Sequence, residues 1–186
     1  MKYLFIFLIF FEYLFAEEVS DIGKQNSQYR IIIKISEQKL YLYQNGKCIK
    51  TYPVSTSKYG IGNKMGSNKT PIGLHRIKEK IGDNVKEGTV FKHGKVTKQV
   101  VKIYKDQTDL DEDLVITRVI KLEGLEKGKN KNSDVDTEKR KIYIHGTPEE
   151  GLIGKPSSHG CIRMKNKDII ELYKIVPVGT LVKIQE

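Results

Sequence analysis

The sequence predicts a mainly β domain, a closed or sandwiched sheet with one short helix near the C-terminus. Three observations carry that expectation. Short β-branched apolar runs recur along the chain, separated by Gly, Asn and Pro clusters. Asn45-Gly46 sits between two alternating runs, and both residues tolerate the positive φ of a two-residue hairpin turn. Helical spacing with a start signal appears near one place, residues 166–175. A chain of 186 residues suffices for one domain and one sizeable core, and no internal repeat or second domain is visible.

Residues 1–16 stand apart. Lys2 precedes an apolar run over 3–11, followed by Glu12-Tyr13-Leu14-Phe15-Ala16. A positive start and an apolar stretch below spanning length read as a secretory signal peptide ending at Ala16. Glu12 and Leu14 fit the cleavage pattern poorly, so an uncleaved anchor is the alternative. Residues 17–28 are polar and read as a tether, leaving 29–186 as the domain. The protein is expected to be exported, to the periplasm or cell envelope.

Taken in order, 29–36 is a strand rich in isoleucine, and Glu37-Gln38 a turn. Strands 39–44 and 47–55 form the hairpin. A two-residue turn pairs Gln44 with Lys47, Tyr43 with Cys48, Leu42 with Ile49 and Leu40 with Thr51. Leu40, Leu42 and Ile49 then share the core face, and Cys48 packs with Tyr41 and Tyr43 on the other. Residues 58–69 are rich in glycine and lysine, but no Gly-Lys-Ser/Thr follows, so they read as a loop rather than a phosphate cradle. Thr70-Pro71-Ile72-Gly73 is a turn and 74–77 a short strand in which His75 is structural. Residues 78–99 read as loop, with His93 exposed. Strands are expected over 100–104 and 114–122. The acid-rich stretch 106–113 between them lacks the glycine and final glutamate of a calcium loop and reads as a solvated turn. Residues 123–139 are a charged surface excursion, 141–145 a strand and 147–157 a loop. Asn166 is the expected N-cap of a helix over 167–175, with Asp168 favouring its dipole and Ile169, Ile170, Leu172 and Tyr173 on its apolar side. A final strand covers 180–184.

The formal charge is +10, and removing 1–16 takes away one base and one acid without changing it. A basic exported protein suits an anionic envelope polymer. No nucleic-acid-binding module is visible. The two cysteines, Cys48 and Cys161, are expected to stay reduced, because bridging them would silence the more reactive candidate.

That candidate lies in Ser157-Ser158-His159-Gly160-Cys161-Ile162-Arg163-Met164, with His145 sixteen residues upstream at the end of an apolar run. Cysteine becomes nucleophilic near neutral pH once a partner takes or offsets its proton. A base at a strand end, then a loop, then a thiol on a glycine-bearing turn make a plausible active-site layout. Spacing leaves open whether His145 or His159 is the base. The amides of Gly160 and Cys161 are the expected oxyanion donors, since glycine permits close approach.

The segment from His145-Gly146-Thr147 to Ser158-His159-Gly160-Cys161-Ile162-Arg163 resembles the active-site signature of the L,D-transpeptidase (YkuD) family. Tyr52-Pro53-Val54-Ser55-Thr56-Ser57 and Lys69-Thr70-Pro71-Ile72-Gly73 resemble its upstream strand and turn, so the likeness runs over about 29–186. The resemblance implies a β-barrel-like core, Cys161 as nucleophile, His145 as proton donor and acceptor, and the Gly146 carbonyl orienting His145. It makes Ser158, His159 and Gly160 supporting residues and Arg163 a fork for a stem-peptide carboxylate. The implied substrate is a peptidoglycan stem peptide, and the implied acceptor is an amine of another stem or of an envelope lipoprotein, with no metal or organic cofactor. Three rivals remain at this point: an L,D-carboxypeptidase with the same machinery, a non-catalytic wall-binding module, and a zinc site from His145, His159 and Cys161 with His75 or His93.

Overall fold

The computed structural model describes residues 28–186; the signal-peptide expectation and all but the last residue of the tether lie outside them. The elements are β1 (Tyr29–Lys34), β2 (Lys39–Gln44), β3 (Lys47–Ser55), β4 (Gly73–Ile81), β5 (Thr89–Lys92), β6 (Lys95–Val100), β7 (Val115–Gly124), β8 (Tyr143–Gly146), β9 (Ile162–Met164), α1 (Asn166–Ile175) and β10 (Leu181–Gln185). The strands follow the order β4-β10-β1-β2-β3-β9-β8-β7-β5-β6, and β4 also pairs with β7. That pairing closes a barrel-like ring from which the β5–β6 hairpin branches. Closure leaves the ring without an unpaired edge. Two pairs are parallel, β1 with β10 and β8 with β9.

The interior follows the two-residue alternation of strands. Ile31, Ile33, Leu40, Leu42, Tyr52, Val54, Ile77, Ile120, Leu122, Ile144, Ile162, Met164, Val182 and Ile184 form one core with Ile169, Leu172 and Tyr173 of α1. Each fully buried aliphatic side chain contributes roughly 1.5–3 kcal/mol relative to exposure.

Several expectations change. Asn45 and Gly46 do take positive φ (49° and 79°), but the hairpin register slips between Leu42 and Tyr43. Leu42 pairs with Lys50 and Leu40 with Tyr52, so Ile49 is left unpaired and exposed while Tyr52 takes a core place. Cys48 pairs with Tyr43 but is exposed, not packed. Both cysteines are free. The stretch 78–99 is loop only over 82–88: β4 continues to Ile81, and β5 and β6 form a hairpin. Its turn, His93-Gly94, has both residues at positive φ (52° and 72°), the same geometry as Asn-Gly from a less telling pair. The strand expected at 100–104 ends at Val100, beyond which Tyr104 only bridges Glu149. Asn166 is the first residue of α1 rather than its cap, and no side chain caps from Lys165. Instead the Glu150 carboxylate accepts the Asn166 amide at 2.7 Å. His75 is structural as expected, buried between Gly73 O (3.0 Å) and Thr137 Oγ1 (3.1 Å).

Candidate active site

Strands β8 and β9 lie side by side in parallel, with Ile144 opposite Ile162 and His145 opposite Arg163. Alternation sends Ile144, Ile162 and Met164 into the barrel core. His145 and Arg163 therefore share the other face. Cys161 stands just before β9, on the turn that leads into it.

His145 is fully buried. Its Nδ1 lies 2.8 Å from the Gly146 carbonyl. A carbonyl only accepts, so Nδ1 carries the proton and Nε2 of the neutral ring holds a lone pair. Nε2 has no hydrogen-bond partner. The carbonyl expected to orient the histidine does so. Gly146 is required for space: a Cβ there would lie 2.5 Å from Asn166 Oδ1 and 2.9 Å from Ile116 O. Asn166 is itself fixed, its Nδ2 donating at 2.8 Å to both Thr147 O and Glu150 Oε1, and its Oδ1 accepting from Thr117 Oγ1. Thr117 is a β-branched residue at φ 70° inside a bulge of β7, between the residues that pair with Gly146 and His145. Such backbone persists only where its surroundings hold it.

The Cys161 thiol donates to Lys141 O and accepts from the Tyr143 amide, both at 3.4 Å. Lys141 is itself at positive φ (57°). Ser158 closes the turn: its Oγ donates to Cys161 O at 2.6 Å and accepts the Gly160 amide at 3.2 Å. The Gly160 amide, one of the two expected oxyanion donors, is thus engaged by Ser158. Gly160 has φ 123°, and a Cβ there would lie 3.3 Å from both Ile142 Cδ1 and Lys69 O. Burial pushes the Cys161 thiol up to about 12, with the Asp113 carboxylate adding to the rise against the Tyr143 amide, Arg163 and Arg140. Burial also holds His145 below its ordinary value, opposed by Asp113 and the Gly146 carbonyl and aided by Arg163. Thiol and imidazole thus sit within the field of the same two charges, Asp113 and Arg163, and burial shifts each toward its neutral form.

Arg163 is 2% exposed, and its guanidinium is enclosed. Nε and Nη2 each reach Asp113 Oδ1 at 2.8 Å, and Nη1 lies 2.7 Å from Glu149 Oε2. The fork expected to meet a substrate carboxylate is therefore neutralised within the fold. Asp113 Oδ2 also accepts the His159 amide at 2.8 Å. Glu149 Oε1 accepts the Leu110 amide at 2.7 Å. The acid-rich 106–113 is mostly exposed, as a solvated turn would be, but it is a strap tied to the site through Leu110 and Asp113. That tie was missed because a run such as Asp111-Glu112-Asp113 reads as surface charge. The signal was a buried arginine in want of counter-ions. His159 is part-exposed, and its ring stacks near Tyr59, with centroids 5.6 Å apart. Of the zinc ligands considered, His75 lies between Gly73 O and Thr137, and no cluster suited to a metal occurs among the described residues.

A family model for the L,D-transpeptidase catalytic domain, YkuD, matches residues 28–184. Among curated relatives, a putative L,D-transpeptidase YkuD of Bacillus subtilis is 59% identical over 46 residues, 25% of this chain and 28% of that protein. A probable L,D-transpeptidase YbiS of Escherichia coli is 52% identical over 44 residues, 24% of this chain and 14% of that protein. These matched stretches span under a third of the relatives. Among solved structures, an L,D-transpeptidase from Mycobacterium smegmatis superposes with a TM-score of 0.53 at 18% identity, covering 87% of this chain and 60% of that one. L,D-transpeptidase 3 from Mycobacterium tuberculosis, in complex with a faropenem-derived adduct, gives 0.52 at 18%, covering 86% and 60%. The structural likeness establishes the fold, and the family match over nearly all the described residues establishes the kinship. The chain belongs to the L,D-transpeptidase (YkuD) catalytic-domain family.

Proposed function

We propose that the protein is an exported L,D-transpeptidase that acts on peptidoglycan stem peptides through an acyl-enzyme on Cys161. The carrying observation is the buried imidazole of His145. Its tautomer is fixed by the Gly146 carbonyl, its Nε2 lone pair lacks a partner among the described residues, and its strand pairs with the one that Cys161 leads into. Cys161 turns from the Lys141 carbonyl toward that lone pair. Its sulfur attacks the carbonyl between the L-centre of the third residue and D-Ala, while Nε2 takes the thiol proton. The C–N bond then breaks, Nε2 returns the proton to the departing D-Ala amine, and a thioester remains. An amine of a second stem, or of an envelope lipoprotein, attacks the thioester, gives its proton to Nε2 and regenerates the thiol on release. The basic charge of the chain favours an anionic polymer, and its apolar N-terminus fits export. A matched relative is in complex with a faropenem-derived adduct, and here a carbapenem is expected to acylate Cys161.

The test is incubation of the purified protein with tetrapeptide muropeptides, with intact-protein mass spectrometry after exposure to a carbapenem. Cross-linked dimers and a single adduct on Cys161 are expected. Tripeptide alone would make it an L,D-carboxypeptidase. Cys161→Ala should abolish both products while leaving the fold intact, and full turnover by that variant refutes the mechanism.

A further inference from the structure

With Arg163 enclosed by carboxylates, a second guanidinium becomes the cation beside the thiol. Arg140 directly precedes Lys141, whose carbonyl takes the thiol proton. Its Nη1 donates to Gly62 O at 3.0 Å, and its Nη2 to Lys69 O and, at 3.5 Å, to Ser67 Oγ. All three acceptors are uncharged and belong to the loop between β3 and β4. Lys69 O is also the atom nearest the catalytic turn on that side, 3.3 Å from where a Gly160 Cβ would stand. Thr70 Oγ1, on the next residue, donates to Gly160 O at 3.1 Å. One carbonyl thus separates the Arg140 guanidinium from the backbone that carries Cys161.

Among the described residues no carboxylate lies within ion-pair distance of Arg140, as also for Arg30 and Arg118, whereas Arg163, the other arginine near the thiol, has two. Cys161 is near enough that a thiolate there would interact with it. A part-buried guanidinium held in a fixed orientation by neutral acceptors has lost hydration without gaining a counter-ion. Both Nη groups are engaged by these acceptors, which leaves Nε–H and a second Nη1 N–H to meet a carboxylate. The site thus offers a cation without a carboxylate partner among the described residues, braced on the 62–69 loop and within electrostatic reach of Cys161.

We propose that Arg140 binds the free carboxylate of the acyl donor's leaving residue and so selects the donor. This rests on the acyl-transfer reading above. In a donor cleaved before its last residue, only the amide nitrogen and one α-carbon separate the scissile carbonyl from that carboxylate. A cation beside the nucleophile therefore meets it when the carbonyl sits at the sulfur. A donor longer by one residue carries its carboxylate past this point, so the same contact favours the tetrapeptide over the pentapeptide.

The test compares a synthetic tetrapeptide ending in a free carboxylate with its C-terminal amide, using the purified protein and measuring kcat/KM for release of the last residue. The wild type is expected to prefer the acid by about 10- to 100-fold, the usual weight of a hydrogen-bonded charge pair. Arg140→Gln should remove the preference by lowering the acid alone, chiefly through KM, and Arg140→Lys should restore part of it. Equal use of acid and amide by the wild type, which needs no variant to fold, overturns the proposal. So does an equal loss on both donors in Arg140→Gln, which would make the residue a brace for the 60–70 loop. If the wild type consumes neither donor, the acyl-transfer reading fails and this proposal falls with it.

Discussion

Replacing Asp113 by alanine should be among the most costly single changes available on the strap. The carboxylate holds Arg163 Nε and Nη2 at 2.8 Å and the His159 amide at 2.8 Å. The arginine is 2% exposed and its other carboxylate, Glu149, is fully buried. Alanine leaves those donors without acceptors in a place water reaches poorly. Breaking a buried pair from one side costs about 3–5 kcal/mol. Glu149 still offsets the charge, which puts the expected loss at the low end, about 3 kcal/mol, or roughly 10 °C in Tm for a domain of this size. Urea and thermal unfolding measure it. The Asp113 charge also raises both the thiol and the imidazole, so the variant that folds should alkylate at a lower pH than the wild type. Asp113→Asn, which keeps shape and one acceptor, should lose less stability and show the same shift in alkylation. A loss under about 1 kcal/mol in the alanine variant would refute the buried-clamp reasoning, since that is the range of an exposed ion pair.

Gly146→Ala should both destabilise and inactivate, because its methyl meets Asn166 Oδ1 and the Ile116 carbonyl at 2.5 and 2.9 Å. Overpacking of this kind costs about 1–3 kcal/mol, and unfolding together with carbapenem adduct formation reads the two effects; a fully active variant rejects the fit. Acid should weaken the fold before most carboxylates titrate. Burial lowers His75 to about 4 from 6.5, so the unfolded chain takes up the proton first as pH falls. The associated stability is whole above pH 6.5 and is lost on the way down to about 4, a drop of about 3 kcal/mol, and His145 acts in the same direction. Urea midpoints that stay level from pH 7 to 4.5 would contradict it.

The parts that sequence revealed are those with local causes. Asn45-Gly46 forces its hairpin because both residues accept positive φ, and Ile31, Ile33, Val182 and Ile184 alternate into the core as their spacing requires. The motif around Cys161 was legible by resemblance, and the Gly146 carbonyl stands where that resemblance put it. What stayed hidden depends on contacts between distant segments. Ile49 looked like a core residue until the bulge slipped the register. The β5–β6 hairpin was hidden by its lysines, which are common on exposed edge strands, and by a His-Gly turn. Asn166 resembled a cap but serves the β7 bulge and the loop after β8. Asp113 and Arg163 lie fifty residues apart, and nothing local to either announces the pair.

The resting chemistry of the thiol yields a prediction that separates two mechanisms. In one, the cysteine exists beforehand as a thiolate beside an imidazolium, as strongly activated cysteines do. In the other, both partners are neutral and the proton moves only as sulfur attacks. The geometry favours the second. Burial pushes the thiol up to about 12 and the imidazole below 6.5, so each neutral form is favoured at pH 7. The thiol donates to Lys141 O, while Nε2 has no partner among the described residues. A small alkylating agent that needs a preformed thiolate should then react slowly at pH 7 and keep accelerating well above pH 9. Carbapenem acylation, which draws on the general base, should fall on the acid side only as His145 takes a proton, below pH 6.5, and stay level above it. An alkylation midpoint near pH 6, abolished in His145→Ala, would establish the ion pair instead and overturn this account of how the nucleophile is activated.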